Sequence, residues 1–322
     1  MSVSIGVDIG GTKIAAGLVD DSGVIIQRVR RETPARSFDG VVDAIASGCA
    51  DLVVYARTHD LELVEAVGMG AAGLVDETGA IVRFAPNLGW TEAPLGPRVA
   101  EATGLPTVVE NDATSAAWGE FRFGAGQGAT SLVAVTVGTG IGGGIINTGR
   151  PLRGSFGMAA EFGHITQVPE GRLCGCDRRG CWEQYGSGNA LVREARDLAA
   201  ERRSEAEMLL AMGDGTPEGV TGVHVTDAAR KGDPVALEAF RRVGDALGRG
   251  MADLTAILDP DRYVIGGGVS EAGDILMKPL AEAYHAAVVA PAHRPAATIV
   301  LAQLSNDAGL IGAADLARGL VA

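Results

Sequence analysis

Residues 4–19 read SIGVDIGGTKIAAGLV, and residues 131–147 read SLVAVTVGTGIGGGIIN. Each is a short β-rich run, a glycine turn and a second β-rich run, the pattern of a hairpin. After the first, Asp20-Asp21-Ser22-Gly23 turns the chain into a third strand at Val24–Val29. Phe38, Val41, Val42, Ile45, Cys49, Leu52, Val53 and Ala56 then recur at helical spacing, which predicts one amphipathic helix. Strands are expected at Val64–Met69 and Pro106–Val109, with a helix from Ala113 to Phe121. The unit restarts at residue 131, and a repeated strand–turn–strand unit predicts a duplicated α/β domain. Beyond Gly186 the pattern is mostly helical, interrupted by a strand at Asp259–Val264. A helix from Glu271 and a last one near Asn306–Arg318 follow, the latter expected to pack back on the first domain.

At 322 residues there is room for about two domains. With 47% apolar and 21% charged residues the chain can bury a core, so general disorder is excluded. The 47 glycines follow no three-residue period, which excludes collagen; they cluster in runs where backbone must approach something closely. A net charge of −13 supplies no surface for neutralising phosphates, so nucleic acid is not an expected partner. The opening MSVSIGVDIGG has no basic segment and carries Asp8, so no secretory signal is read there. The longest uncharged run, Phe123–Gly149, is broken by glycine and polar residues; no membrane partner is expected, and a cytoplasmic protein is.

The glycine turns carry the first chemistry. Gly138-Thr139-Gly140-Ile141-Gly142-Gly143 formally fits GxGxxG, but a strand follows instead of the helix a dinucleotide fingerprint requires. A glycine hairpin can present converging amide N–H groups to phosphate, or it can simply be a tight turn needing φ > 0. Beside the first turn, Asp8, Thr12 and Lys13 offer a carboxylate for a metal, a hydroxyl and an ammonium. Cys174, Cys176 and Cys181 lie within eight residues as C-x-C-x4-C. Without an export signal, thiolate metal ligation is preferred to a disulfide framework. His164 is the nearest histidine, and Cys3His suits tetrahedral zinc; the alternative is a loop of free thiols. Cys49, on the apolar stripe, reads as core. Glu110-Asn111-Asp112 closes a strand and opens a helix, where α/β proteins place their chemistry. There Asp112 is either a helix N-cap or a proton acceptor, and the residues alone do not decide.

In order along the chain stand DIGGTK at 8–13, GAAGLVD at 70–76, PNLGW at 86–90, ENDA at 110–113, VGTGIGGG at 137–144 and EFGH at 161–164. CGCDRRGCWEQYGSG at 174–188 and IGGGV at 265–269 complete the series. Together these resemble the ROK family of sugar kinases. Two positions depart from the family pattern: Asp177 replaces the glycine of its CxCGxxGCxE motif, and Ala160 stands where glycine often precedes EFGH. The resemblance implies an α/β actin-like ATPase (ribonuclease H-like) fold, two α/β lobes with the active site in the cleft between them. The lobes would be 1–115 completed by a C-terminal helix at 305–322, and 116–304 with a zinc-binding loop at 164–183.

The resemblance also implies roles. Asp112 matches the catalytic base, which takes the proton of a sugar 6-hydroxyl as that oxygen attacks the γ-phosphate of ATP. Asn111, Glu161, His164 and Glu183, joined by Asn87 and Gly73, match the sugar ligands. Asp8, Gly10, Gly11, Thr12, Lys13, Gly138, Thr139 and Gly140 match the phosphate loops, and Gly267 and Gly268 the adenosine loop. His164, Cys174, Cys176 and Cys181 match a structural Zn2+ site, and Mg2+ is expected with ATP. The implied reaction converts glucose to glucose 6-phosphate. Mannose, fructose or N-acetylmannosamine as acceptor, polyphosphate as donor, or a non-catalytic sugar sensor are the alternatives. The sensors of this family carry a helix-turn-helix ahead of the first hairpin, for which a strand starting by residue 3 or 4 leaves no room. A homodimer or homotetramer is expected.

Overall fold

The structure is a computed structural model and describes residues 2–35 and 37–320. The chain opens with β1 (Ser2–Ile9), β2 (Lys13–Asp20), β3 (Ile25–Glu32) and α1 (Phe38–Thr58). It continues through β4 (Glu62–Ala71), β5 (Leu74–Val75), β6 (Val82–Ala85), β7 (Trp90–Ala93), α2 (Leu95–Thr103), β8 (Thr107–Asn111) and α3 (Asp112–Phe123). Next come β9 (Leu132–Val137), β10 (Ile141–Asn147) and β11 (Arg150–Pro151), then α4 (Glu183–Gly186), α5 (Gly188–Glu201), α6 (Glu207–Met212), α7 (Gly222–Arg230) and α8 (Pro234–Leu258). β12 (Arg262–Gly266), α9 (Asp274–Ala287), β13 (Thr298–Leu301) and α10 (Ala308–Arg318) complete it.

Two five-stranded sheets run in the orders β3-β2-β1-β4-β8 and β11-β10-β9-β12-β13. The order is the same when each set is counted from its own hairpin, as the repeated unit predicts. β1 pairs antiparallel with β2 and parallel with β4, and β4 pairs parallel with β8, so strand ends converge at Ile9, Ala71 and Asn111. Within the uncharged run at 123–149, residues 132–137 form β9 and 141–147 form β10, and no described helix is long and apolar enough to cross a membrane.

The chain packs as two units. One comprises Met1–Ala134, Gly143–Ala160 and Ala302–Ala322, the other Val135–Gly142 and Glu161–Leu301. The sequence reading puts the lobe boundaries at 115/116 and 304/305; packing groups 116–134 and 143–160 with the first unit. One cause is Glu120 on α3, whose buried carboxylate accepts the amides of Ala125, Gln303 and Leu304. Residues 321–322 of the expected C-terminal segment lie outside the described residues.

In the first unit α1 starts on Ser37, whose hydroxyl accepts the Gly40 amide, and buries Val41, Val42, Ile45, Cys49, Leu52 and Ala56 against the sheet. Cys49 is core as expected, its thiol pushed up to about 12 by burial. α10 packs on β1, β4 and α3. A Cβ at Gly6 or Gly68 would run into the Leu310 or Ala313 carbonyl, so these glycines let helix backbone meet strand backbone.

Three features differ from the sequence reading. Asp259 is the left-handed C-cap of α8 (φ 45°), so the strand expected at 259 begins at Arg262. The helix expected from Glu271 begins at Asp274, after a short 3-10 segment over Gly268–Ala272 and Gly273 at φ 59°. The β5-β6-β7 sheet, of strands two to four residues long, has no counterpart in the sequence reading.

Candidate active site

In the first unit the β1–β2 turn closes with the Gly10 amide donating to the Lys13 carbonyl (3.0 Å). Thr33 holds it from outside: its hydroxyl donates to the Gly10 carbonyl (2.8 Å) and its amide to the Thr12 carbonyl (3.1 Å). Gly11, Thr12 and Lys13 remain exposed. Asp8, at the end of β1, sits in register with Gly70 on β4, which faces Glu110 on β8. The Asp8 carboxyl is raised to about 6, first by burial and then by the Asp112 charge, with Lys13 pulling the other way. Asp112 is raised too, by burial, against the lowering effect of the Ala113 amide. Two carboxylates and an ammonium therefore form one electrostatic group.

The N-cap of α3 is Asn111, not Asp112. Its Oδ1 accepts the Ala113 (2.9 Å) and Thr114 (3.0 Å) amides, while Nδ2 donates to the Gly73 carbonyl (3.1 Å). Both acceptor sites of the side chain are thus used, leaving one Nδ2 hydrogen. Asp112 occupies the first helical position, one residue after the cap, with its carboxylate still beside the Ala113 amide. Gly73 packs against Phe84 and Ala85, where a side chain has no space, and Asn87 lies exposed on the turn between β6 and β7.

In the second unit the turn Gly138–Gly140 is closed by the Gly138 amide donating to the Gly140 carbonyl (3.0 Å), and the Gly138 carbonyl accepts the Gly188 amide (2.7 Å). Gly138 thus shapes the turn, as does Gly267, whose positive φ of 85° places it against Val137. Gly138, Thr139 and Gly268 line one cavity of about 460 Å³, within the size range of ligand sites. Leu191, Val192, Val223 and Val269 make its apolar walls, and Asn189, Thr226, Asp227, Arg230 and Glu271 its polar ones. Motif reading misses the α5 and α7 residues of this cavity; on helices of ordinary amphipathic spacing they carry no distinguishing signal.

The EFGH segment forms a 3-10 turn at Phe162–His164 that begins after the exposed Glu161. Ligand atoms of His164, Cys174, Cys176 and Cys181 all lie within 4.8 Å of one another. His164 Nδ1 is 3.6 Å from Cys174 Sγ, and Cys176 Sγ is 3.6 Å from Cys181 Sγ. Cross-bridges Thr166–Cys181 and Leu173–Arg179 hold the loop, and the buried Trp182 anchors its end by donating from Nε1 to the Ala246 carbonyl (2.8 Å). The donor set and its closeness fit a tetrahedral Cys3His metal site. Glu183 follows: Oε1 is 2.9 Å from Cys174 Sγ and 3.8 Å from His164 Nδ1, and Oε2 occupies the space a Gly140 side chain would need. Both departures from the family pattern fall on left-handed backbone, Asp177 at φ 64° and Ala160 at φ 76°.

Two sheets of one strand order, each opened by a glycine hairpin, define an actin-like ATPase fold. The ROK family profile matches residues 4–319, and the chain belongs to that family. It is 50% identical over 319 residues to the glucokinase of Streptomyces coelicolor, covering 99% of this chain and 98% of that protein. A ROK family glucokinase from Streptomyces griseus, solved with glucose and AMPPNP, is 50% identical over 98% of this chain and 99% of that one, with a TM-score of 0.83. A ROK hexokinase from Thermus thermophilus is 35% identical over 99% of both chains, also at 0.83.

Proposed function

We infer that the protein is an ATP-dependent glucokinase, transferring the γ-phosphoryl group to the 6-hydroxyl of glucose. The near-full-length 50% identity to glucokinases supports the choice of glucose. The observation that carries the mechanism is the division of labour at the start of α3. Because Asn111 caps the helix, the half-buried Asp112 carboxylate is left for proton transfer. Burial makes it a stronger base than a solvated carboxylate.

Asp112 takes the proton from the 6-hydroxyl as that oxygen attacks phosphorus. Asn111 offers its remaining Nδ2 hydrogen to a sugar oxygen. Glu161 and Glu183 accept sugar hydroxyls in charge-assisted bonds, and each such bond discriminates, since a missing hydroxyl leaves a polar group unpaired. With Nδ1 turned to the cysteines, His164 has Nε2 left for the sugar. Gly73 and Asn87 complete the sugar set. Lys13, Thr12, Thr139 and the glycine turns receive phosphate oxygens, and the cavity beside Gly268 receives the nucleoside. Its apolar walls suit a purine base and would serve no purpose for polyphosphate.

Asp8 is the residue that would hold Mg2+, since a carboxylate raised to about 6 by burial and a like charge gains most from a divalent cation. The cation supplies positive charge against the phosphates. Zn2+ at His164, Cys174, Cys176 and Cys181 would fix the His164 ring and the 164–183 loop. The test is a coupled assay with Mg-ATP and a panel of hexoses: the highest kcat/KM is expected for glucose. A clear preference for another hexose would reassign the acceptor, and no turnover by folded, zinc-loaded protein would refute the kinase reading.

A further inference from the structure

Glu110 stands one residue before the helix cap, and its side chain is only 5% exposed. Its Oε1 accepts the Asn111 amide (2.9 Å), and its Oε2 lies 3.0 Å from Arg153 Nε, off the line of a good hydrogen bond, so the contact is chiefly electrostatic. Arg153 opens the loop after β11. Its Nη2 reaches towards the Val109 carbonyl (3.4 Å), and its own carbonyl accepts the Ala159 amide (3.1 Å). None of the sugar-kinase machinery assigned above uses this pair.

Resting on the kinase reading, we propose that Arg153 is a positioning residue: its guanidinium keeps buried Glu110 ionised, and ionised Glu110 holds the Asn111 backbone so that Asn111 caps α3 and Asp112 faces its proton. Burial pushes the Glu110 carboxyl up; Arg153 counters it most, and the Asn111 amide adds to that. Of the elements packed against β8, β4 sets Gly70 opposite Glu110, while α2 engages Arg98 with Asp39 and Glu101. α3 brings Asp112, Glu120, spent on backbone amides, and Arg122, paired with Asp315; α10 brings Asp315, bound also to Trp118, and Arg318, bound to Ser2 and Val19. Past β5, Asp76 is spent on the Ala80 and Ile81 amides and the Thr78 hydroxyl. Without Arg153, Glu110 would have no countercharge among the described residues and would take up a proton towards neutral pH. A protonated carboxyl is a weaker acceptor for the Asn111 amide, and the cap loosens.

The experiment measures kcat, KM and unfolding between about pH 6 and pH 9 for wild type, Arg153→Met, Arg153→Lys, Glu110→Gln and the Arg153→Met/Glu110→Gln double variant. For Arg153→Met, kcat should fall by about 10²-fold at the acid end, the cost of a small misplacement of a reacting group, and recover as pH rises. KM for ATP should stay near the wild-type value. Arg153→Lys keeps a cation and should restore most of the acid-end rate. In the double variant the buried charge is gone and the side-chain amide introduced by Glu110→Gln still offers a carbonyl to the Asn111 amide, so the added pH dependence should vanish. A merely structural arginine would lower stability without changing the shape of the pH profile. The proposal is overturned if Arg153→Met keeps the wild-type profile, or if the double variant retains the added acid limb. Should Arg153→Met not fold, the comparison of Glu110→Gln with the double variant decides: near-equal kcat supports the proposal, and a large further loss refutes it. A wild-type chain that phosphorylates no hexose would sink the functional reading instead. The charge relation would then be read from unfolding, where Arg153→Met should lose stability as pH rises and the double variant should not.

Discussion

Asp8→Asn isolates the electrostatic tension at the end of β1. The carboxyl stands at about 6 in the folded chain against 3.8 for the ordinary group, because it is buried beside Asp112. That difference corresponds to about 3 kcal/mol of unfavourable ionisation, and about 2 after allowance for the screening that Lys13 and partial solvent access provide. A folded-state value raised above the unfolded one means the folded chain binds more protons between the two. The contribution of this carboxyl to stability is therefore fully present below about pH 4 and is lost as pH rises through about 6. Asn is close in shape and cannot ionise, so Asp8→Asn should be about 2 kcal/mol more stable than wild type near pH 7.5, with the gain gone near pH 4. The assay is urea unfolding at both pH values, without divalent cation or nucleotide. The same variant should lose most of its kinase activity if, as proposed, the group that strains the fold is the one that meets the cation. A variant less stable than wild type near neutral pH, or equally stabilised at both, would refute the reasoning.

Asp112→Asn should leave glucose binding by calorimetry within about threefold while kcat falls by about 10²- to 10⁴-fold, the usual worth of a positioned base; the Asn111 cap is untouched, so stability should hold. The raised Asp112 carboxyl also sets the acid limb of the wild-type kcat profile, which should fall as pH drops through a value above the ordinary 3.8. Cys176→Ser should drop zinc by elemental analysis from about one per chain to a small fraction, lower the unfolding temperature and raise KM for glucose through the loop bearing His164 and Glu183. Ala160→Gly should stabilise the chain by about 0.5–1 kcal/mol in urea, since alanine at φ 76° carries left-handed strain that glycine does not. Asp177→Gly should gain less, because aspartate tolerates that region better. Destabilisation by Ala160→Gly would show that the methyl group packs usefully there.

What is legible in the sequence follows from range. The α1 stripe and both glycine hairpins are set by residues within about a turn or two of one another, and each appears where expected. The start of β12 falls later than expected because Asp259 is the left-handed C-cap of α8 and Asp259-Pro260-Asp261, of residue types strands avoid, turns the chain before Arg262. Strands as short as β5 offer too few residues for an alternation to register. At the site, Asp112 could not be separated from a helix cap by residue type, since Asn and Asp cap equally well.

By itself the sequence determined the duplicated hairpin, the candidate Cys3His cluster and the candidate carboxylates, because these depend on residue type and local spacing. Only the tertiary structure decided which of them share a field or a wall. Asp112 at the start of α3 raises the carboxyl of Asp8 on β1, Arg153 reaches Glu110 from 43 positions away, and α5 and α7 bring their residues to the cavity beside Gly138 and Gly268. The physical reason is that ionisation and shape at a site depend on burial and on distances through space, which no local pattern encodes.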